Sequence, residues 1–576
     1  MNFLNLPKLH KIFYSSILIL YFLVLFRNYS GNIHSIYLFT WPYSLGLHSF
    51  TLDFFVQNTN QLDLSIIYSA FKFLKINMDN DFVGFIIYIL FTSISGFYLF
   101  KIIRDFFEIQ DNLIIFIILV TILYAGNLLV SANIGSWITN NPTSPTFFAH
   151  SLITTFIYFL LKRKTLIILF ISSIMLLISV KSSWYTIGVG IVYSLFFDKK
   201  EKLYWIIGPL IVLGYFLSIS EIQISEVTRR ILFQNVIIRD MEEVAFHLQK
   251  AQRNLLLIFS FLVYGLILKK LKFLKIKNFS LVILILSICT FIFGYFYALK
   301  GVDIWPQPKL LALSFTRALG LYQLFFWVLV GAYINNLKIN NLLKTGFYLF
   351  IFFIHIDSWH NNLEILRMKG LIIGSLLLTL FFLFNFITKK LNRNPKIETI
   401  KMATIFIVIS SSVLFFSFNK KIQQTNFYAM KQINKWTVEK TVPNRKLDNL
   451  IILKKCKDFL LYDIDFPTWS PAIAGKSQFI GGRAYNHFSI PVMKKHKERL
   501  NIHVQILNKS KDKLGEQIAK KLYMNQTVII IEDRDLYSIP DNVKYLDISH
   551  NYNLVFFTSD EFLEEFKNTC YRKFKI

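Results

Sequence analysis

Thirteen blocks of almost uninterrupted apolar residues constrain this chain more than anything else in it. They lie at 12–26, 82–100, 113–131, 146–161, 165–180, 184–197, 203–219, 254–268, 279–299, 314–335, 344–356, 370–388 and 402–418. A bilayer core of about 30 Å is crossed by roughly 20 helical residues, fewer at the short end of the range. With 54% hydrophobic residues and a mean hydropathy of +0.46, the chain is more apolar than an ordinary soluble protein. The fold class expected is therefore a polytopic α-helical membrane protein with about 13 transmembrane helices. The basic N-terminal stretch before the first block is followed by no small-residue cleavage site, so that block is expected to be an uncleaved helix.

Charge orients the blocks. With the N-terminus in the cytoplasm beside Lys8 and Lys11, the even-numbered links carry Lys101 and Arg104, then Lys162 to Lys164, Lys199, Lys200 and Lys202, and Lys269 to Lys277. Lys338 and Lys344, and Lys389 to Lys396, complete the series. Basic residues favour the cytoplasmic face, so this orientation is consistent along the whole chain and requires an odd helix count. The net charge of +28 is read first as topology, with contact to anionic lipid or pyrophosphate as the alternative, and no nucleic-acid partner is expected. The lipid bilayer is the expected surrounding, with the chain a multi-pass protein of the plasma (inner) membrane.

The outward links at 27–81, 132–145, 220–253, 300–313 and 357–369 are longer and richer in Trp, Pro, Asp, Asn and His. Residues 64–75 (LSIIYSAFKFLK) have the pattern of an interfacial helix, and 220–250 that of a helix with Arg229, Arg230, Arg239, Glu242 and Glu243. After Phe418 the composition turns polar. Runs at 449–453, 458–464, 477–482, 527–533 and 553–559 read as strands, and 510–523 and 560–568 as helices. The expected organisation is a transmembrane domain over 1–418 and a small C-terminal α/β domain over 419–576, extracytoplasmic by the helix count.

Several chemistries find no support. There is no nucleotide-phosphate loop, no G-x-S-x-G and no H-E-x-x-H. Acidic residues are nearly missing from the apolar blocks, which weakens an ion-coupled transporter reading. Of three cysteines, Cys289 lies inside an apolar block, and no metal-ligand spacing exists. The HIDSWH run with His355, Asp357 and His360 has no evident further ligand, so neither a metal nor any other cofactor is expected.

Polar candidates gather at the outer helix ends instead. Asp53 is flanked by Leu52, Phe54 and Phe55, and a carboxylate in apolar surroundings can serve as a general base. An ordinary solvated loop aspartate fits the same residues, and Asp63 shares that reading. Asp79 and Asp81 form a D-x-D suited to helix capping. Arg317, at the start of the tenth block, either clamps a phosphate through its fork of donors or snorkels to the interface. Lys309 is its companion. Lys181, at a tight outward hairpin between two blocks, is either an anion contact or an interfacial anchor. His150 has the pattern of a packed polar residue.

Four stretches resemble the bacterial branch of the GT-C superfamily, polytopic glycosyltransferases that use polyprenyl-phosphate-linked sugars. They are the first outer loop with TLDFF, the segment SWITNNPTSPTFFAHSLITTFIYFLLKRK, the hairpin ISVKSSWYTIGVGIVYSLFF and the late helix LLALSFTRALGLYQLFFWVLVGAYI. In the tail, DFLLYDIDFPTWSPAIAGKSQFIGGRAYNHFSIP with Arg483 is similar to that group's strand, loop and strand. The resemblance implies Asp53 as catalytic base and Arg317, with Lys309 or Lys181, as ligands of the donor phosphate. It also implies a polyprenyl-phosphate-linked sugar donor and an envelope glycan, lipid or protein acceptor, with transfer at the outer face. Asp53 is single where the superfamily has paired acids, and Lys181 and Ser182 stand where many members carry a histidine–proline pair. The alternative function is a non-enzymatic membrane component of envelope polysaccharide export or assembly.

Overall fold

The computed structural model describes residues 66–75, 81–107, 145–197, 203–219, 251–271, 274–306, 315–339 and most of 343–351, five strands between 460 and 557, and isolated positions elsewhere. The chain divides into two units, one formed by 1–29 and 86–421 and the other by 30–85 and 422–576. The sequence places a boundary at 418; the structure groups the first outer loop with the tail as well.

Ten α-helices are described. They are α1 (Ile66–Phe73), α2 (Asp81–Phe107), α3 (Pro145–Leu161), α4 (Thr165–Ile178), α5 (Val180–Phe197), α6 (Ile207–Ile219), α7 (Ala251–Lys269), α8 (Leu274–Ile304), α9 (Phe315–Ala318) and α10 (Gly320–Asn336). From α2 onward each follows an apolar block of the sequence. The blocks at 12–26, 113–131, 370–388 and 402–418 lie outside the described residues or touch only isolated ones, as does the expected helix at 220–250. Among the described residues two helical spans, Ile86–Phe107 and Leu274–Ile304, are long and apolar enough to cross a membrane. At a rise of about 1.5 Å per residue they measure roughly 33 and 46 Å.

The outer surface of this helical unit is apolar. On α7 the residues Leu255, Phe259, Leu262 and Leu266 recur every three or four positions and are each more than 60% exposed. Such a stripe costs about 25 cal/mol for each Å² left in water and costs nothing against lipid chains. Polar side chains are inside instead: Thr92, Ser95, Ser151, Thr154, Ser183, Ser287 and Gln323 are buried. Helices in lipid gain no hydrophobic drive from meeting one another, so packing and hydrogen bonds between them carry the association. Ser95 and Thr154 join α2 to α3. Tyr185 meets Ser287 at 2.6 Å between α5 and α8, and Ser260 meets Tyr322 at 2.8 Å between α7 and α10. This is a helical membrane fold.

The contacts sort the helix ends into two sets. At one end Asp105 of α2 meets Arg104 at 3.1 Å and Lys162, just after α3, at 3.2 Å. There the α3–α4 turn closes with Arg163 in the left-handed region, φ 57°. Its N–H reaches the Leu160 carbonyl and that of Lys164 reaches Phe159, the paired bonds that terminate a helix. The Arg163 guanidinium then donates to the Phe197 carbonyl at the end of α5, 3.2 Å away. Lys270 stands 5.5 Å from the Tyr333 ring, linking the ends of α7 and α10. The other end holds the starts of α3, α5 and α9, with Trp184, Trp305 and Phe315. Among the described residues the ion pairs and the cation–ring contacts lie at the first of these ends.

In the second unit α1 falls within the expected interfacial helix 64–75, with Phe71 buried and Phe73 exposed. The strands are β1 (Leu460–Asp463), β2 (Ser477–Gln478), β3 (Val528–Asp533), β4 (Lys544–Ser549) and β5 (Tyr552–Phe557). They form one sheet in the order β2-β1-β3-β5-β4. The pairs β1–β2 and β1–β3 are parallel, and β3–β5 and β4–β5 antiparallel. Four of the strands fall on expected runs. The fifth, β4, does not: its sequence KYLDIS mixes charge with apolar residues, as an edge strand does. The run at 449–453 and the expected helices at 510–523 and 560–568 lie outside the described residues.

Candidate functional site

The hairpin bearing Lys181 is tighter than its sequence indicates. Helix α4 ends at Ile178 and α5 begins at Val180, so Ser179 alone makes the turn, in extended backbone with φ −161° and ψ 103°. Lys181 therefore lies in the first turn of α5 and not in a loop. Serines make this possible by satisfying the helix-end groups themselves. The Ser179 N–H reaches Met175, the N–H groups of Ser182 and Ser183 reach the Ser179 carbonyl, and Ser183 Oγ donates to the Met175 carbonyl at 2.8 Å. Ser179 Oγ donates to Ser182 Oγ, which donates to Thr146 Oγ1, each at 3.0 Å. That chain of hydroxyls ties the start of α5 to the start of α3, with Lys181 half-buried beside it.

Arg317 is the third residue of α9; its side chain lies outside the described set. The expected tenth helix is interrupted there: α9 ends at Ala318, Leu319 turns with ψ −6°, and α10 starts at Gly320. The segment is fixed to the Lys181 hairpin. Trp184 Nε1 donates to the Leu313 carbonyl at 3.1 Å, and the Trp184 ring stands edge-on to Phe315 with centroids 6.2 Å apart. Phe315 also packs on Phe293 at 5.4 Å and Tyr297 at 6.2 Å, and Tyr297 Oη donates to the Trp305 carbonyl at 3.0 Å. Two helix starts with cations in their first turn, 136 positions apart in sequence (181 and 317), thus meet at the aromatic end through an indole hydrogen bond and four aromatic rings.

Asp53 and Lys309 lie outside the described residues, as do Asp63, Asp79 and the HIDSWH cluster. His150 is buried on α3, one turn beyond Thr146. Trp184 is the residue that sequence reasoning missed. Its only signal was an indole one turn inside a helix that begins VKSSW, and nothing in the sequence names Leu313 as its partner. The chemistry such an end offers is recognition of an anion through the charges of Lys181 and Arg317 and the positive end of the α5 dipole; the Ser182 and Ser183 N–H groups are already taken by the Ser179 carbonyl.

No family model matches the chain, and no curated protein matches it. Among solved structures it is similar to the crystal structure of ArnT from Cupriavidus metallidurans in the apo state, at 10% identity and a TM-score of 0.43 over 86% of both chains. It is likewise similar to that of ArnT from Cupriavidus metallidurans bound to undecaprenyl phosphate, at 9% identity and a TM-score of 0.42, over 86% of this chain and 87% of the other. This likeness assigns no residue a role.

Proposed function

We propose that the chain is a GT-C-like membrane glycosyltransferase that takes a sugar from a polyprenyl-phosphate-linked donor and passes it, at the outer face, to an envelope glycan, lipid or protein. The observation that supports this reading is the fastening of the Lys181 and Arg317 helix starts to each other through Trp184 and Leu313. A lipid-linked phosphate approaches along the bilayer and needs cations at the membrane boundary, held on rigid elements. Arg317, with Lys181 and Lys309, is the proposed phosphate site. Asp53 is the proposed base.

In the reaction the acceptor hydroxyl oxygen bonds to the anomeric carbon as the bond from that carbon to the phosphate oxygen breaks. Asp53 takes the hydroxyl proton. Negative charge builds on the departing phosphate, and the cations stabilise it more in the transition state than in the ground state, which is what accelerates the step. The proposal includes about thirteen spans with the N-terminus cytoplasmic, and an extracytoplasmic α/β tail that helps to hold the acceptor.

The test compares envelope glycans of wild type, a deletion strain and the deletion complemented with Asp53→Asn, with the variant's level checked by blotting. The same missing sugar in the deletion and in a well-expressed Asp53→Asn strain is the expected result. A wild-type profile from Asp53→Asn removes Asp53 as base and favours an export or assembly component.

A further inference from the structure

The basic end of the bundle carries a second arrangement, which the proposed reaction does not use. On α2 the residues Ile86, Leu90, Ser93, Phe97, Lys101 and Arg104 recur every three or four positions along one side. The apolar part is open: Ile86, Leu90 and Phe97 are each about half exposed. The stripe then ends in two cations. Lys101 Nζ stands 5.4 Å from the Phe97 ring centre, and Arg104 stands 5.7 Å from that of Phe100. A third cation arrives from the next helix pair: Lys162 Nζ is 5.2 Å from the Phe106 ring centre.

One carboxylate organises this corner. Asp105 accepts from Arg104 Nε at 3.1 Å, from Lys162 at 3.2 Å and from the Tyr158 hydroxyl at 3.2 Å. Among the described residues, three cations against one carboxylate leave excess positive charge here. The side chains of Arg104 and Lys162 are 43% and 40% exposed. Among the described residues Arg104 commits only Nε, which leaves its terminal nitrogens, the pair that matches two oxygens of a phosphate.

The dimensions fit a lipid. From Ile86 to Phe97 the stripe rises about 16 Å at 1.5 Å per residue, close to half of a bilayer core of about 30 Å. We infer that this corner binds an anionic phospholipid of the leaflet at the basic end. Its phosphate sits among Lys101, Arg104 and Lys162, and an acyl chain lies along Phe97, Leu90 and Ile86. Clusters of basic residues at the cytoplasmic ends of membrane helices attract acidic headgroups. What distinguishes this cluster is that Asp105 and the aromatic rings hold its cations in place. The inference is independent of the transferase proposal.

The test is native mass spectrometry of the full chain in mild detergent, titrated with dioleoyl phosphatidylglycerol and, separately, with dioleoyl phosphatidylcholine. Lys101→Gln with Arg104→Gln should weaken phosphatidylglycerol binding at least about fivefold, the factor that one basic residue at an acidic surface contributes. Phosphatidylcholine binding should stay unchanged. Lys275→Gln with Lys277→Gln removes the same charge from the start of α8 and should change phosphatidylglycerol binding less than about twofold. Lys162→Gln, on a different segment, should repeat the loss and guards against a folding defect in the first pair. Equal losses in the two double variants, or none in either, would overturn the site.

Discussion

Gly190 and Gly188 lie two residues apart on α5, and the structure separates them sharply. A Cβ on Gly190 would stand 2.7 Å from Phe156 Cζ, 3.1 Å from Cε1 and 3.4 Å from Leu160 Cδ2, whereas a Cβ on Gly188 meets nothing within 4 Å. The Phe156 ring has no room to withdraw: it is fully buried and backs edge-on against Trp205 at 5.7 Å. Alanine at 190 therefore forces α5 away from α3, or the ring off its rotamer, at a cost of about 1–3 kcal/mol. Both substitutions share the helix-propensity gain of alanine over glycine, about 1 kcal/mol. The difference between Gly190→Ala and Gly188→Ala isolates the overpacking, so it should be about 1–3 kcal/mol. Thermal unfolding of the detergent-purified protein, followed by tryptophan fluorescence, should place Gly190→Ala about 1–3 °C below Gly188→Ala. Gly190→Ala melting level with Gly188→Ala, or above it, would refute the α3–α5 packing that sets Ser182 against Thr146.

Other consequences are as direct. Trp184→Phe keeps a ring against Phe315 and removes the donor to the Leu313 carbonyl; it should cost about 1 kcal/mol of stability and raise the KM for a lipid-linked donor with kcat nearly unchanged. Asp105→Asn removes the charge facing Arg104 and Lys162; both cations are more than a third exposed, so solvent screens the pairs and each contributes about 0–1 kcal/mol. The melting point of Asp105→Asn should fall by up to about 2 °C at low salt, with the gap from wild type closing at high salt. A double-mutant cycle of Tyr185→Phe and Ser287→Ala should return a coupling of about 0.6 kcal/mol, and less than about 2 kcal/mol, typical of hydroxyl pairs between membrane helices.

What the sequence made legible was local. An apolar run bounded by Lys and Arg marks a helix because both the hydrophobic length and the charged ends are written in consecutive residues; α3 and α4 match their runs within two residues. Strand β3 was legible for the same reason, as V-I-I-I between polar flanks. Strand β4 was not, because its pairing with β5 forms it more than its own composition does. The single-residue turn at Ser179 was hidden because the serines that cap both helices look like loop residues in a sequence. The bond from Trp184 to Leu313 spans 129 positions and depends on how α5, α8 and α9 pack. Asp105 was overlooked because an acid beside Arg104 seems to cancel it, whereas in the fold it also gathers Lys162 and Tyr158.

The most direct test of the central proposal is the affinity of the purified chain for a short-chain polyprenyl phosphate, measured by calorimetry for wild type, Arg317→Gln and Lys181→Gln. Arg317→Gln should weaken binding roughly tenfold or more, the scale of one charge-assisted hydrogen bond of about 1.5–3 kcal/mol, and Lys181→Gln should weaken it in the same direction. Wild-type affinity in both variants, with both proteins folded, would show that the phosphate is held elsewhere and would remove the basis for reading this helix junction as a transferase site.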